Sequence, residues 1–205
     1  MTTELKTVPW AQRVLSTELP PLSFLSEISL KDHLNTGRTL KAGELWNEKP
    51  CVIMVVRRPG CSLCREEALG LSEKRDELRS IGVDMFAVAH EELNTKDFNE
   101  KYWKGDLYLD TEKGFYKGIG YPKLYVSSLE DLKLPQVKEN GARAEKKGVP
   151  MNYEGQGLIM GGLFVVSSSG VHYRYIEKVF GDHAPFSEIV EAAKVAVAAV
   201  DAARL

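Results

Sequence analysis

Cysteine is scarce in this 205-residue chain, at positions 51, 61 and 64 only. An odd number this small cannot staple a disulfide-rich secreted fold and points to a reducing compartment. No run approaches the roughly 18 uninterrupted apolar residues of a membrane-spanning helix. Neither sign of charge dominates: 27 Lys and Arg against 29 Asp and Glu leave a formal net charge of −2. That balance removes any global electrostatic case for nucleic acid or an anionic membrane as partner. The stretch Met1 to Pro21 lacks an apolar core of signal-peptide length, and Glu4 and Glu18 make it too acidic for a transit peptide. Internal repeats and low-complexity tracts are absent too. What is present, 43% hydrophobic and 27% charged residues, is the composition of an ordinary globular domain.

Against that background Cys61-Ser62-Leu63-Cys64 stands out. It follows the dense apolar run Cys51 to Val56 and opens a segment of helical periodicity, Arg65 to Arg79. A CxxC at the start of a helix suits a redox-active dithiol, because the free N–H groups and partial positive charge there stabilise a thiolate. Two intervening residues let the sulfurs close into a small disulfide ring. The alternative, half of a zinc site, needs two further ligands, and His33, His90, His172, His183 and Cys51 are scattered singly. No metal is therefore expected.

The order of elements predicts an α/β protein. Met1 to Ser26, stopped by Pro20-Pro21, reads as an N-terminal arm, and residues 27–205 as a single domain. Two short strands flank Asn35-Thr36-Gly37, and Leu45-Trp46 sits in a short helix before Pro50. Cys51 to Val56, apolar throughout, reads as a central strand covered on both faces. The helix after the CxxC carries its stripe on Cys64, Ala68, Leu71 and Leu78, which puts Cys64 on the buried line. Cys61, in register with Arg65, is expected to face solvent, as a nucleophile beside a sheltered partner. Gly82 ends the helix and Val83 to Ala89 forms a second buried strand. A helix over Leu93 to Trp103, a strand over Leu107 to Asp110 and a short helix over Lys113 to Ile119 follow. Residues 121–150 read as an insertion, its polar stretch Asp131 to Lys147 interrupted by Pro135 and Gly141. Leu163 to Ser167 and Val171 to Glu177 predict a hairpin, and Pro185 starts a final helix, Phe186 to Val200.

Strand, CxxC, helix, strand, helix, hairpin, helix is the order of the thioredoxin fold. Within it, Val55-Val56-Arg57-Arg58-Pro59-Gly60-Cys61-Ser62-Leu63-Cys64-Arg65-Glu66-Glu67-Ala68 resembles the signature of the peroxiredoxin-like 2 family, a branch of the alkyl hydroperoxide reductase and thiol-specific antioxidant group. The resemblance continues at Leu107 to Asp110, Phe115-Tyr116 and Gly155 to Val166, and spans about Gly43 to Val200. It implies a thioredoxin-like fold, with a central mixed sheet flanked by helices, and a thiol-based antioxidant or redox role. One branch of the family resembles a reductase of prostaglandin endoperoxides. Two departures are visible. Typical peroxiredoxins carry Pro and Thr or Ser seven and three residues before the peroxidatic cysteine, where this chain has Met54 and Arg58. Thioredoxins have Pro before the hairpin strand, where this chain has Gly161-Gly162.

The chemistry expected of the site runs through Cys61 as nucleophile and Cys64 as resolving thiol. The helix N-terminus, Arg57, Arg58 and Arg65 favour the Cys61 thiolate, while Glu66 and Glu67 oppose it. Arg57, Arg58 and Pro59 tune the thiol or meet an anionic substrate group, and Gly161 and Gly162 allow close backbone approach to the CxxC loop. No bound cofactor is expected. The partners are a peroxide, disulfide or lipid endoperoxide substrate and an external thiol reductant of the thioredoxin or glutathione kind. His90 is placed at the sheet's C-terminal edge; Cys51, Tyr102 and Trp103 read as packing residues. A different function class stays open: a thioredoxin-fold subunit of a larger assembly, motivated by the arm and the insertion. A cytoplasmic location follows from the reducing-compartment reading, with Ala203-Arg204-Leu205 similar to a peroxisomal address.

Overall fold

A computed structural model describes residues 17–204. Most of the expected arm and the final Leu205 lie outside these. The described part begins with a short helix, α1 (Leu22–Ser26), whose Leu25 is fully buried. Strands β1 (Ser29–Lys31) and β2 (Thr39–Lys41) pair antiparallel around a turn in which the Asp32 carboxylate accepts from the Asn35 amide and from Thr36. A 3-10 turn, Ala42–Trp46, drops Trp46 into the interior. Next comes β3 (Cys51–Val56), buried at every position.

The segment expected as one helix is two, α2 (Ser62–Glu73) and α3 (Arg75–Ser80), broken at Lys74 where ψ opens to 2°. The stripe still holds, with Cys64, Ala68, Leu71 and Leu78 all buried. Gly82 closes α3 at φ +81, a conformation that costs glycine nothing. Strand β4 (Asp84–Ala89) is followed by α4 (Thr95–Phe98), which runs on through a wider turn, Asn99–Trp103. Strand β5 (Leu107–Leu109) and α5 (Gly114–Ile119) come next; the Asp110 carboxylate accepts from the Gly114 and Phe115 amides at the helix start.

In the insertion, a 3-10 turn (Leu129–Lys133) leads into α6 (Pro135–Lys146). This corrects the expectation of an interrupted stretch. Pro135 occupies the first helical position, where no N–H is needed, and the helix runs through Gly141. Its inner face, Val137, Asn140 and Ala144, is buried. The hairpin is β6 (Gly162–Ser167) and β7 (Gly170–Ile176), and α7 (Phe186–Ala203) ends the described chain with Ile189, Ala193, Ala196 and Val200 inward.

The strands form one seven-stranded sheet in the order β2-β1-β5-β4-β3-β6-β7. β3, β4 and β5 run parallel; the other pairings are antiparallel. Alternation along β3 sends Val52, Met54 and Val56 to the face covered by α2 and α7, and Cys51, Ile53 and Val55 to the face covered by α1 and α5. Each such fully buried aliphatic side chain contributes about 1.5–3 kcal/mol, which fixes β3 at the centre and holds its C-terminal end, where Arg57 and the CxxC follow, in place. The Tyr116 hydroxyl donates to the Val56 carbonyl at 2.6 Å, pinning that end from the α5 side.

Candidate active site

Cys61 is the residue immediately before α2, with ψ at 130°, outside the helical geometry. Helical-wheel reasoning from Arg65 therefore does not reach it, and the expectation that Cys61 faces solvent is corrected: it is 1% exposed, and Cys64 is 4% exposed. Arg65 itself is buried. No disulfide joins them in this structure.

Three influences set the Cys61 thiol well below its ordinary pKa. The first is the Cys64 side chain, which donates to the Cys61 sulfur. Burial acts against ionisation, but the Arg57 charge and the backbone amides of Cys64 and Leu63 outweigh it. Arg57 Nη2 lies 2.9 Å from Cys61 Sγ. The same sharing pushes Cys64 well above the ordinary value, with burial adding to the rise. Of the two sulfurs, then, Cys61 ionises and Cys64 keeps its proton.

Arg57 is held on every side. Its Nη1 donates to the Gly157 carbonyl at 2.8 Å, its Nε lies 3.4 Å from Glu177 Oε1, and its guanidinium lies over the Phe180 ring at 4.6 Å. The buried Glu177 carboxylate in turn accepts from the Gly181 amide at 2.8 Å and the Gly161 amide at 3.3 Å. Burial pushes its pKa upward, and Arg57 and these amides pull against that. Glu177 went unnoticed in the sequence; its signal is a carboxylate closing the strand Val171 to Glu177 directly before the apolar Val179-Phe180.

The remaining expected residues take different places around this pair. Gly161 approaches the backbone leading into the CxxC loop, where a side chain would collide with the Val55 carbonyl and meet the Arg57 amide at 3.0 Å. Gly162 does not approach that loop as expected, and a side chain there would collide with the Tyr175 carbonyl on β7. Pro59 is buried, its carbonyl accepting from Arg65 Nε at 2.9 Å. The Arg65 guanidinium goes on to the Pro150 carbonyl and the Asp97 carboxylate and lies over Tyr102, so it braces the covering loop instead of tuning the thiol. Arg58, half-buried, donates to the Tyr153 carbonyl at 3.0 Å and the Met151 sulfur at 3.5 Å, while its Nε has no partner. Glu66 does not oppose the thiolate as expected: Arg143 and Lys147, each 2.8 Å from its Oε1, neutralise it and tie α6 to α2. Burial, with Glu177 and Asp182 nearby, holds Glu67 well above the usual carboxylate range. Beside this clasp, burial and Arg143 hold His183 down at about 4.

Together these contacts lay residues 147–161 across the CxxC. The Asn152 amide donates to the Gly60 carbonyl at 2.7 Å, closing the cover from the other side. Beneath it lies a cavity of about 430 Å³ with Cys61, Arg57 and Arg58 at its polar end. Leu63, Leu129, Leu132, Met151, Leu158 and Phe180 form its apolar wall. His90, buried at the end of β4, packs edge-on against Tyr116 at 4.9 Å and does not line this cavity. Cys51 is fully buried, and burial with Asp84 nearby raises its pKa. Tyr102 and Trp103 are buried as expected. Among the described residues, no three His, Cys, Asp or Glu side chains gather as a metal would require, and no helix is long and apolar enough to cross a membrane.

Similarity to known proteins bears on the family and the fold. The pattern of the AhpC/TSA antioxidant enzyme family matches residues 70–179, a stretch that begins after the CxxC. Human peroxiredoxin-like 2A is 42% identical over 178 residues, covering 85% of this chain and 76% of its own; the Xenopus laevis protein of that name is 40% identical, covering 87% and 78%. The structure of Xanthomonas campestris peroxiredoxin Q superposes with a TM-score of 0.55 at 15% identity, over 90% of this chain and 97% of that one, a likeness of fold. With its thioredoxin-like α/β architecture and this degree of likeness along most of its length, the chain belongs to the peroxiredoxin-like 2 family of the AhpC/TSA antioxidant group, a family of thiol-dependent redox proteins.

Proposed function

We propose that the protein reduces a peroxide through Cys61, with Cys64 as the resolving thiol. The observation that carries this reading is the Arg57 guanidinium 2.9 Å from Cys61 Sγ at the floor of a cavity. In the first step the thiolate attacks one peroxide oxygen, the O–O bond breaks, and the leaving alkoxide takes a proton from water to give the alcohol. Cys61 becomes a sulfenic acid. Arg57 is positioned to stabilise charge shifting from sulfur to oxygen, in place of the hydroxyl missing at position 58. Cys64 then attacks the Cys61 sulfur, water leaves, and an external thiol of the thioredoxin or glutathione kind reduces the disulfide. No bound cofactor enters this scheme, which suits a reducing compartment such as the cytoplasm.

The apolar wall favours a narrower substrate class over hydrogen peroxide: a lipid-like hydroperoxide, or an endoperoxide. The attacked oxygen of an endoperoxide stays bonded to carbon as a Cys61 sulfenate ester until Cys64 attacks the sulfur and releases it as the second alcohol. Leu129 and Leu132, 67% and 51% exposed, extend that wall to the surface, where an alkyl chain would lie. Consumption of an alkyl hydroperoxide, hydrogen peroxide and a lipid endoperoxide, with dithiothreitol as reductant, tests both levels. The expected result is turnover of the apolar peroxides that vanishes in Cys61→Ser, while Cys64→Ser given an alkyl hydroperoxide without dithiothreitol gives one turnover and a trappable sulfenic acid. A Cys61→Ser variant as active as the native protein would exclude the reading and leave the assembly role in front.

A further inference from the structure

Cys61 is not the only oxidisable sulfur lining this cavity. Met151 lines it together with Cys61 and is 37% exposed. The other described methionines, Met54, Met85 and Met160, are 1%, 3% and 0% exposed. The Met151 thioether also has unusual company. The Ser62 amide, the first of α2, donates to its sulfur at 3.4 Å, and Arg58 Nη2 donates at 3.5 Å. A thioether is a weak acceptor, so these two donors, one at a helix N-terminus and one cationic, are poorly matched to it. A sulfoxide oxygen is a far stronger acceptor and would match both.

We propose that Met151 is a site of oxidation by the hydroperoxide admitted to the Cys61 cavity, and that its sulfoxide closes the cavity to apolar peroxides. In the step itself a sulfur lone pair attacks the terminal peroxide oxygen, an S–O bond forms and the O–O bond breaks. Sulfur is oxidised to the sulfoxide as the proton of the transferred oxygen passes through water to the alkoxide, which leaves as the alcohol. Cys61 is not needed for this step, so the oxidation itself stands without the peroxidase reading; its effect on substrate entry rests on that reading. Two consequences follow from the geometry. The oxygen places a polar group in the wall otherwise made by Leu63, Leu129, Leu132, Leu158 and Phe180. It also competes for the Ser62 amide and for Arg58, at the polar end where the peroxide group must sit.

The test has two arms. Reduced Cys61→Ser protein is titrated with cumene hydroperoxide, and the 16-Da gain at each methionine is followed by peptide mass spectrometry. Met151 is expected to oxidise at least about ten-fold faster than free N-acetylmethionine, and Arg58→Ala to remove most of that advantage. Oxidation no faster than the free amino acid would overturn the site. In the second arm, native and Met151→Leu proteins, with Cys61 and Cys64 first joined as their disulfide to protect the thiols, are exposed to excess hydroperoxide and then fully reduced. Activity toward an alkyl hydroperoxide is normalised to each protein's own starting rate. The native protein is expected to lose activity in step with sulfoxide, and Met151→Leu to retain it; parallel loss in both would overturn the consequence.

Discussion

Cys51 and Cys61 stand at the two ends of the same stretch of chain, both shut off from water, at 0% and 1% exposure. Their chemistry is opposite. At Cys51, which begins β3 with apolar neighbours on the α1 and α5 face, burial favours the neutral thiol and the pKa rises. At Cys61 the same burial is outweighed by the Cys64 side chain, Arg57 2.9 Å away, and the first amides of α2. Burial alone thus does not decide whether a cysteine is inert. What decides is whether the chain supplies donors for the thiolate at the point where the sulfur is enclosed, and here a strand end followed directly by a helix start does so.

The comparison breaks most sharply at Arg57. Arg57→Met removes a charged donor worth about 1.5–3 kcal/mol to its partner, so Cys61 alkylation at neutral pH should slow by roughly ten- to a hundred-fold. It also strands Glu177, which a paired change to Gln should relieve; urea denaturation of the double variant should recover stability while the Cys61 rate stays low. Recovery of both would mean that Arg57 acts through folding alone. Next in size, Cys64→Ala takes away the sulfhydryl donor and should slow alkylation by about ten-fold, one pKa unit, with Cys64→Ser in between because its hydroxyl still donates.

A pH series sharpens the contrast without touching the site. Cys51, raised in the folded state, favours the neutral form; its contribution is fully present below the unfolded thiol's pKa of about 8.5 and is lost as pH rises above it. Cys61, depressed in the folded state, behaves in reverse: its contribution is full above that pH and fades as pH falls toward its own folded value. The stability gap between native protein and Cys51→Ala should therefore shrink by up to about 1.4 kcal/mol per pH unit above pH 8.5, measured by urea titration at pH 8 and 10. The smallest effect is Cys51→Ala at pH 7, about 1 kcal/mol of stability from one lost buried atom and no change in Cys61 reactivity.

How much of this was legible in the sequence follows from where each feature keeps its signal. β3, the CxxC, the stripe on α2 and the hairpin β6–β7 announce themselves in side-chain periodicity, and all are where periodicity puts them. Cys61's exposure was misjudged because a residue just outside a helix does not obey the helix's angular spacing. Pro135 was misjudged as a breaker because only context distinguishes the first helical position from an interior one. The cover over the site was illegible for a deeper reason. Arg57, Arg58 and Arg65 hold it by the carbonyls of Gly157, Tyr153 and Pro150, and backbone acceptors leave no mark in residue identity. Glu177 and Met151 were missed with it, since both matter only through that closure.

The most direct test of the account is the pH dependence of alkylation in the fully reduced native protein, resolved by peptide so that Cys51 and Cys61 report together. The account predicts that Cys61 reacts with a half-maximal rate at a pH well below the ordinary thiol value of about 8.5, while Cys51 stays unlabelled throughout the range in which the protein is folded. A Cys61 profile centred at or above that value, or Cys51 labelled at a comparable rate, would contradict it.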